Sequence, residues 1–248
     1  MNQQATLDRL NALKLAGMAT LWQTLLQLPA HQWPATDQLV AQLLEAEWEY
    51  RQHRRTQTAI RDARFRYEAS LEEVIYTPQR QLDKNLILRL ADLSFIQRGE
   101  NLLVTGATGC GKSYLATAFG YQACLKGLRV GYYALPKLVQ SLHLARADGS
   151  FTKVLARLER LHLLILDDWG LAPLDMEAKL ALLQIMEDRH GRSSTIITSQ
   201  LPVAQWYDYL AEPTIADAFL DRLLHQAHRI ELKGESLRKK TKGEEKNV

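Results

Sequence analysis

With 248 residues, 46% of them hydrophobic and 24% charged, the chain has room for one large domain or two modest ones, and its composition is that of an ordinary folded protein. That excludes wholesale disorder, a collagen-like repeat and a disulfide scaffold, the last because Cys110 and Cys124 are the only cysteines. A net charge of +3 is too mild to name a partner, so the distribution of charge matters more than its sum. From Ala5 to Tyr67 no strand pattern occurs. Leu7, Leu10 and Leu13, then Met18, Leu21, Trp22 and Leu25, recur at helical spacing instead. Gly17 falls between the two sets and reads as the break between two short helices, and Pro29 and Pro34 close that hairpin. A longer helix is predicted from about Thr36, with Thr36 or Asp37 as N-cap, to about Tyr67. Its apolar positions Leu39, Val40, Leu43 and Leu44 give way after Trp48 to a basic stretch. Trp22, Trp33 and Trp48 are expected to pack the helical region or a subunit interface.

From Asn101 the texture changes. Apolar runs at 101–105, 129–134, 161–166, 194–199 and 228–232 read as strands, with helices at 113–126, 136–146, 175–190 and 214–224 between them. This alternation predicts an α/β fold: a five-stranded parallel sheet flanked by helices, preceded by a small all-helical N-terminal domain. The domain boundary is expected near residue 70, with 71–98 linking to the sheet and the third strand beside the first. The N-terminus lacks the apolar segment of roughly 7–15 residues that a signal peptide needs. No run of about 18 apolar residues occurs, and neither cysteine has metal-ligand spacing. A soluble, cytoplasmic setting is therefore expected.

The sharpest signal is Gly106-Ala107-Thr108-Gly109-Cys110-Gly111-Lys112-Ser113, an unbroken G-x-x-x-x-G-K-S between a strand and a helix. Glycines let successive backbone N–H groups converge on phosphate oxygens, and the helix N-terminus adds its positive dipole end. In that setting Lys112 would reach the β- and γ-phosphates of ATP and Ser113 would ligate Mg²⁺, with Tyr114 next in the nucleotide-contacting set. Downstream, Leu163-Leu164-Ile165-Leu166-Asp167-Asp168 carries two carboxylates out of a buried strand at the edge where open α/β sheets bind ligands. Asp167 suits the Mg²⁺ shell and Asp168 the attacking water; a solvated turn before Trp169 is the plainer reading of Asp168.

Four segments extend the pattern: GATGCGKSYLATAFG (106–120), LLILDDWG (163–170), TIITSQLP (195–202) and IADAFLDRLLHQAHRIELKGESLR (215–238). With the helical N-terminal region, they resemble the IstB-like ATP-binding helpers of bacterial insertion sequences, within the helicase-loader branch of AAA+ ATPases. The resemblance implies that Gln200 senses the γ-phosphate, that Arg222 is an arginine finger reaching the ATP of a neighbouring subunit, and that Arg238 is a second sensor. It also implies an ATP-bridged homo-oligomer on duplex DNA that assists a cognate transposase. Three departures stand out: Asp168 where many relatives carry Glu, Gln200 where Asn is commoner, and too little chain after residue 232 for a helical lid.

Residues 51–66 hold six arginines against the single acid Asp62. Arg51, Arg54, Arg55 and Arg61 share roughly one helical face, and with Arg64 they form a candidate duplex-DNA footprint without base readout. A solvated helix face is the plainer reading of the same charges. Three rival functions remain open on the sequence: a replicative helicase loader with the same ATPase core, a small-molecule P-loop kinase, and a static ATP clamp.

Overall fold

In a computed structural model, residues 3–234, 236 and 237 are described. The chain divides into two compact units, Met1–Thr58 and Ala59–Val248.

The first unit holds α1 (Gln3–Ala12), α2 (Ala16–Leu26) and the greater part of α3 (Thr36–Ala63). Gly17 does not break the first two helices. The reversal comes earlier, where Lys14 adopts φ 58, and Gly17 lies inside α2. Its reason is proximity: a Cβ there would stand 2.3 Å from the Ala46 carbonyl oxygen, so only glycine lets α2 cross α3 at that point. Glu47, buried on α3, turns this close crossing into a cap. It accepts hydrogen bonds from the Gly17 N–H at 2.9 Å and the Met18 N–H at 3.3 Å, satisfying two orphan donors at the start of α2. Trp22 and Trp33 meet edge to face at 5.5 Å. Trp48 is instead exposed, along with Leu44 and Val40 one and two turns before it.

The second unit begins before the boundary that polarity alone suggests, because Ala59, Ile60, Ala63 and Phe65 already pack against the large core. The long helix ends at Ala63 rather than near Tyr67. Arg64 takes a left-handed conformation (φ 58), a common helix ending, and Phe65 then turns inward. Two short helices follow, α4 (Lys84–Leu90) and α5 (Ser94–Gln97). Then come β1 (Asn101–Gly106), α6 (Lys112–Leu125), β2 (Val130–Ala134), α7 (Leu135–Ala147), α8 (Phe151–Glu159), β3 (Leu163–Trp169), α9 (Met176–Arg189), β4 (Ser194–Ser199), α10 (Trp206–Leu210), α11 (Pro213–Leu224) and β5 (Ala227–Leu232).

The five strands are parallel in the order β2-β3-β4-β1-β5. The third strand therefore does not lie beside the first: β4 stands between them, its Ile196 and Ile197 paired with Leu102 and Leu103 on one side and with Ile165 and Leu166 on the other. Apolar side chains cover both faces, as a parallel sheet requires. On one face Leu102, Val104, Ile165 and Ile196 pack with Leu115 and Phe119 of α6. On the other, Leu103, Leu164, Leu166 and Ile197 pack with residues of α7, α9 and α11. Trp169, which follows the aspartate pair, is fully buried there, stacked on Phe219 at 5.1 Å and tilted against Trp206 at 5.4 Å.

Candidate functional site

The glycine-rich loop leaves the carboxyl end of β1 and runs into α6. Gly106, Gly109 and Gly111 all have positive φ (146°, 81° and 93°), a conformation that side-chain-bearing residues rarely hold. At Gly106 the requirement is also steric, since a Cβ would lie 2.1 Å from the Leu232 carbonyl oxygen on β5. Lys112 folds back over the loop, its Nζ donating to the carbonyls of Gly106 and Ala107 at 2.8 Å each. Ser113 reaches across to the next element, and its hydroxyl donates to Asp167 Oδ1 at 2.8 Å. One serine thus joins the loop to the carboxylate at the end of β3, over 54 residues of chain.

Asp167 is fully buried and surrounded by hydroxyls. Besides Ser113, Thr198 of β4 donates to Oδ1 and Tyr132 of β2 donates to Oδ2. A buried carboxylate needs such partners, and three charge-assisted hydrogen bonds supply them. Burial first, and Asp167 second, push the Tyr132 phenol well above the usual tyrosine range, so it stays a donor. Tyr67 lies close by; burial and the Asp167 charge raise its pKa, while Ser113 hydrogen bonding works the other way.

Asp168, by contrast, sits where the β3–β4 register slips, with φ 63. Its backbone N–H donates to Thr198 Oγ1 at 3.3 Å, and its side chain is only partly buried. Gln200 follows the end of β4 and accepts a hydrogen bond from the Thr108 hydroxyl at 2.8 Å, which ties the loop to that strand end too. The structure therefore brings Thr108, Lys112, Ser113, Asp167, Asp168 and Gln200 to the carboxyl edge of the sheet.

Other candidates fall elsewhere. The Tyr114 side chain points to the preceding segment: its hydroxyl donates to Glu73 at 2.8 Å and accepts from the Ser70 N–H at 3.3 Å, and its ring stacks on Tyr67 at 6.3 Å. Arg222, near the end of α11, pairs with Glu187 of α9 at 2.8 Å and donates to the Ala218 carbonyl. That helix runs from the end of β4 back to the start of β5, so Arg222 stands at the amino edge of the sheet. A six-residue strand, roughly 20 Å, separates it from the loop. Arg238 lies outside the described residues. Among the arginines of the basic stretch, Arg51 is committed to the buried Glu47 at 2.6 Å, and Arg61 touches its neighbour Asp62 at 3.2 Å. Arg54, Arg55 and Arg64 are exposed and make no ion pair among the described residues.

One contributor is absent from any sequence motif. Arg80, 6% exposed, donates from Nη2 to the Cys110 carbonyl at 2.7 Å and from Nη1 to the Ile75 carbonyl at 2.5 Å, bracing the loop from behind. Its Nε has no partner among the described residues, and burial lowers its pKa. Tyr132, Thr198 and Arg80 were each readable as a residue but not as part of the site.

The residues present fit a magnesium–triphosphate group: a loop of glycines at positive φ that offers N–H groups without obstruction, an amine folded over that loop, and a hydroxyl and carboxylate hydrogen-bonded where a divalent cation would need them. The fold and this constellation define a P-loop protein with a five-stranded parallel sheet. Solved structures agree on the fold. The DnaC helicase loader superposes with a TM-score of 0.52 at 22% identity, over 64% of this chain and 94% of that one. AMPPCP-bound DnaA from Aquifex aeolicus gives 0.59 at 17%, over 75% and 57%.

The family description "IstB-like ATP binding protein" matches residues 8–245, and the chain belongs to that family. An insertion-sequence ATP-binding protein of Sinorhizobium fredii is 45% identical over 94% of this chain and 96% of its own length. The ATP-binding protein of insertion sequence IS21 from Pseudomonas aeruginosa is 31% identical over 94% of this chain and 88% of its own. No helix among the described residues is long and apolar enough to cross a membrane.

Proposed function

We propose that this protein is a Mg²⁺-dependent ATPase that assembles on duplex DNA in its ATP-bound form, helps a cognate transposase engage target DNA, and is reset by hydrolysis. The observation that carries the reading is the 2.8 Å hydrogen bond from Ser113 to Asp167, which links the phosphate loop to the strand-end carboxylate in the arrangement a magnesium-bound triphosphate needs.

When bound, the metal supplies charge neutralisation for the phosphates. The chain does the rest. Backbone N–H groups of residues 106–113 cradle the phosphates, and Lys112 exchanges its two carbonyl partners for phosphate oxygens. Ser113 would offer a lone pair to the metal while its hydroxyl proton stays directed at Asp167, and Asp168 would orient the attacking water. The tether of Gln200 to Thr108 supports a role for Gln200 in registering a γ-phosphate. Arg222 stands too far from its own loop to touch the same nucleotide, which supports a role on the ATP of a neighbouring copy. Its planar fork suits the charge spread over equatorial oxygens. The exposed guanidinium groups of Arg54, Arg55, Arg61 and Arg64 meet DNA phosphates without reading bases. Soluble, cytoplasmic action fits this chemistry.

Light scattering with ATP and a DNA duplex tests the proposal. Wild type is expected to form oligomers only when both are present, and Lys112→Ala to remain small. Monomers under all conditions would overturn it. The assembled species should be retained by a cognate transposase; capture of a replicative helicase instead would redirect the function to loading.

A further inference from the structure

We propose that Tyr132 is a positioning residue for metal-dependent nucleotide binding: its phenol fixes the Asp167 carboxylate so that the Oδ1 edge, shared with Ser113, faces the metal. The inference rests on the ATPase reading above and adds a residue that lies on neither of the site's two sequence motifs.

Three hydroxyls divide unevenly between the two oxygens of Asp167. Ser113 and Thr198 both donate to Oδ1, and Tyr132 donates to Oδ2. Thr198 is itself oriented, because its oxygen accepts the Asp168 N–H and its proton is left for the carboxylate. The serine must keep a lone pair for the metal, so it too can only donate to Asp167. Oδ2 therefore has Tyr132 as its sole hydrogen-bond partner among the hydrogen bonds described. Remove that phenol, and nothing equivalent stops the carboxylate turning about its terminal bond and leaving its outer oxygen buried and unpaired.

Tyr132 is well held for such a duty. It is 7% exposed, sits in the middle of β2 opposite Ile165 of β3, and meets Phe65 edge to face at 6.4 Å. Strand alternation puts Ile165 and Asp167 on the same face, so the Tyr132 side chain runs along the sheet surface toward the aspartate. Residues that orient a metal ligand from behind commonly matter about 10- to 100-fold in metal affinity.

The test is Tyr132→Phe, which keeps the ring against Phe65 and deletes only the hydroxyl. Binding of a fluorescent ATP analogue is titrated with MgCl₂ and, separately, in EDTA. The expected result is metal-free binding within about twofold of wild type and a magnesium midpoint raised about tenfold. ATPase activity should then fall at limiting magnesium but recover near the wild-type kcat at saturating magnesium. A midpoint within about twofold of wild type would overturn the inference, as would equal loss of binding with and without metal, which would signal general damage to the site. Should the phenylalanine variant fail to fold, para-fluorophenylalanine at position 132 fills the hydroxyl's volume without its proton, and the same two outcomes decide. If wild type itself gains no affinity from magnesium, the ATPase reading fails first and takes this inference with it.

Discussion

The basic stretch separates charge committed to the fold from charge left at the surface, where the proposed DNA contact would be made. Arg54 and Arg55 are exposed without an ion pair among the described residues, whereas Arg51 is bonded at 2.6 Å to the buried Glu47, which in turn caps α2. Replacing Arg54 and Arg55 together by Ala should remove two phosphate contacts and flatten the slope of log affinity against log salt by about 1.8. Between about 50 and about 200 mM salt, that makes the double variant's loss of affinity roughly 12-fold smaller than wild type's. Arg51→Ala should behave differently. It leaves Glu47 buried with two backbone donors, and because Arg51 is itself half exposed the cost is about 1 kcal/mol. For a unit of this size that is a fall in Tm of about 4–8 °C, with a slope change of less than one contact. Fluorescence anisotropy with a labelled duplex across a salt series, beside thermal melts, measures both. An unchanged slope in the double variant would remove those two arginines from the footprint. A flattened slope without destabilisation in Arg51→Ala would refute the division of labour drawn here.

Asp168→Asn should keep ATP binding within about threefold while abolishing phosphate release, the split expected of a group that acts on water rather than on the nucleotide; loss of both together would assign it a binding role. Gly106→Ala forces a Cβ against the Leu232 carbonyl at a backbone angle that L residues avoid, so β1 and β5 must part at that end. A loss of about 3 kcal/mol is expected in denaturant unfolding, and a change below about 1 kcal/mol would mean the contact relaxes freely. Arg98, and after it His228, hold the Glu100 carboxyl down at about 2 from its ordinary 4.5. Its folded-state pKa is lowered, so its stabilisation is present above about pH 4.5 and lost as pH falls toward 2. The unfolding-midpoint gap between wild type and Glu100→Gln should therefore close on acidification, and a constant gap would contradict the assignment. Mixing Arg222→Ala with Lys112→Ala chains should restore part of the ATPase activity, because a mixed interface pairs an intact loop with an intact finger; no recovery at any ratio would argue against action between subunits.

Where the sequence reads well, the information is local. The strand runs and the loop between β1 and α6 announce themselves because apolar continuity, glycine spacing and a following helix are all written within a few residues. Gly17 shows the opposite case. From its neighbours it looks like a helix breaker, but its cause is the backbone of Ala46 and Glu47, the latter thirty residues away, and no local pattern carries that. The end of α3 departs from the pattern for a similar reason. Arginine-rich chain continues past Ala63 with no proline or glycine to stop it, and what stops it is the burial of Phe65 in the second unit. Strand order is equally hidden: the chain between Lys112 and Asp167 has room for one intervening strand–helix unit and so suggests β3 beside β1, whereas β4 stands between them and determines which strand ends flank the loop.

That order makes the site more than its two motifs. Asp167 is useful because β2 and β4 flank β3, bringing Tyr132 and Thr198 to its two oxygens, while α6 lies over the same face and brings Ser113. Tyr132 and Thr198 are each in phase with Asp167, since Tyr132 pairs with Ile165 and Ile165 with Ile196, two residues before each partner on its strand. A hydroxyl on the neighbouring strands at that phase was the signal to look for, and it could be read only once the neighbours were known. The same order places Arg222 at the far edge. With the loop at the carboxyl ends and α11 returning to the amino end, Arg222 stays roughly 20 Å from the loop of its own chain, as the proposed role on a neighbouring copy's ATP requires.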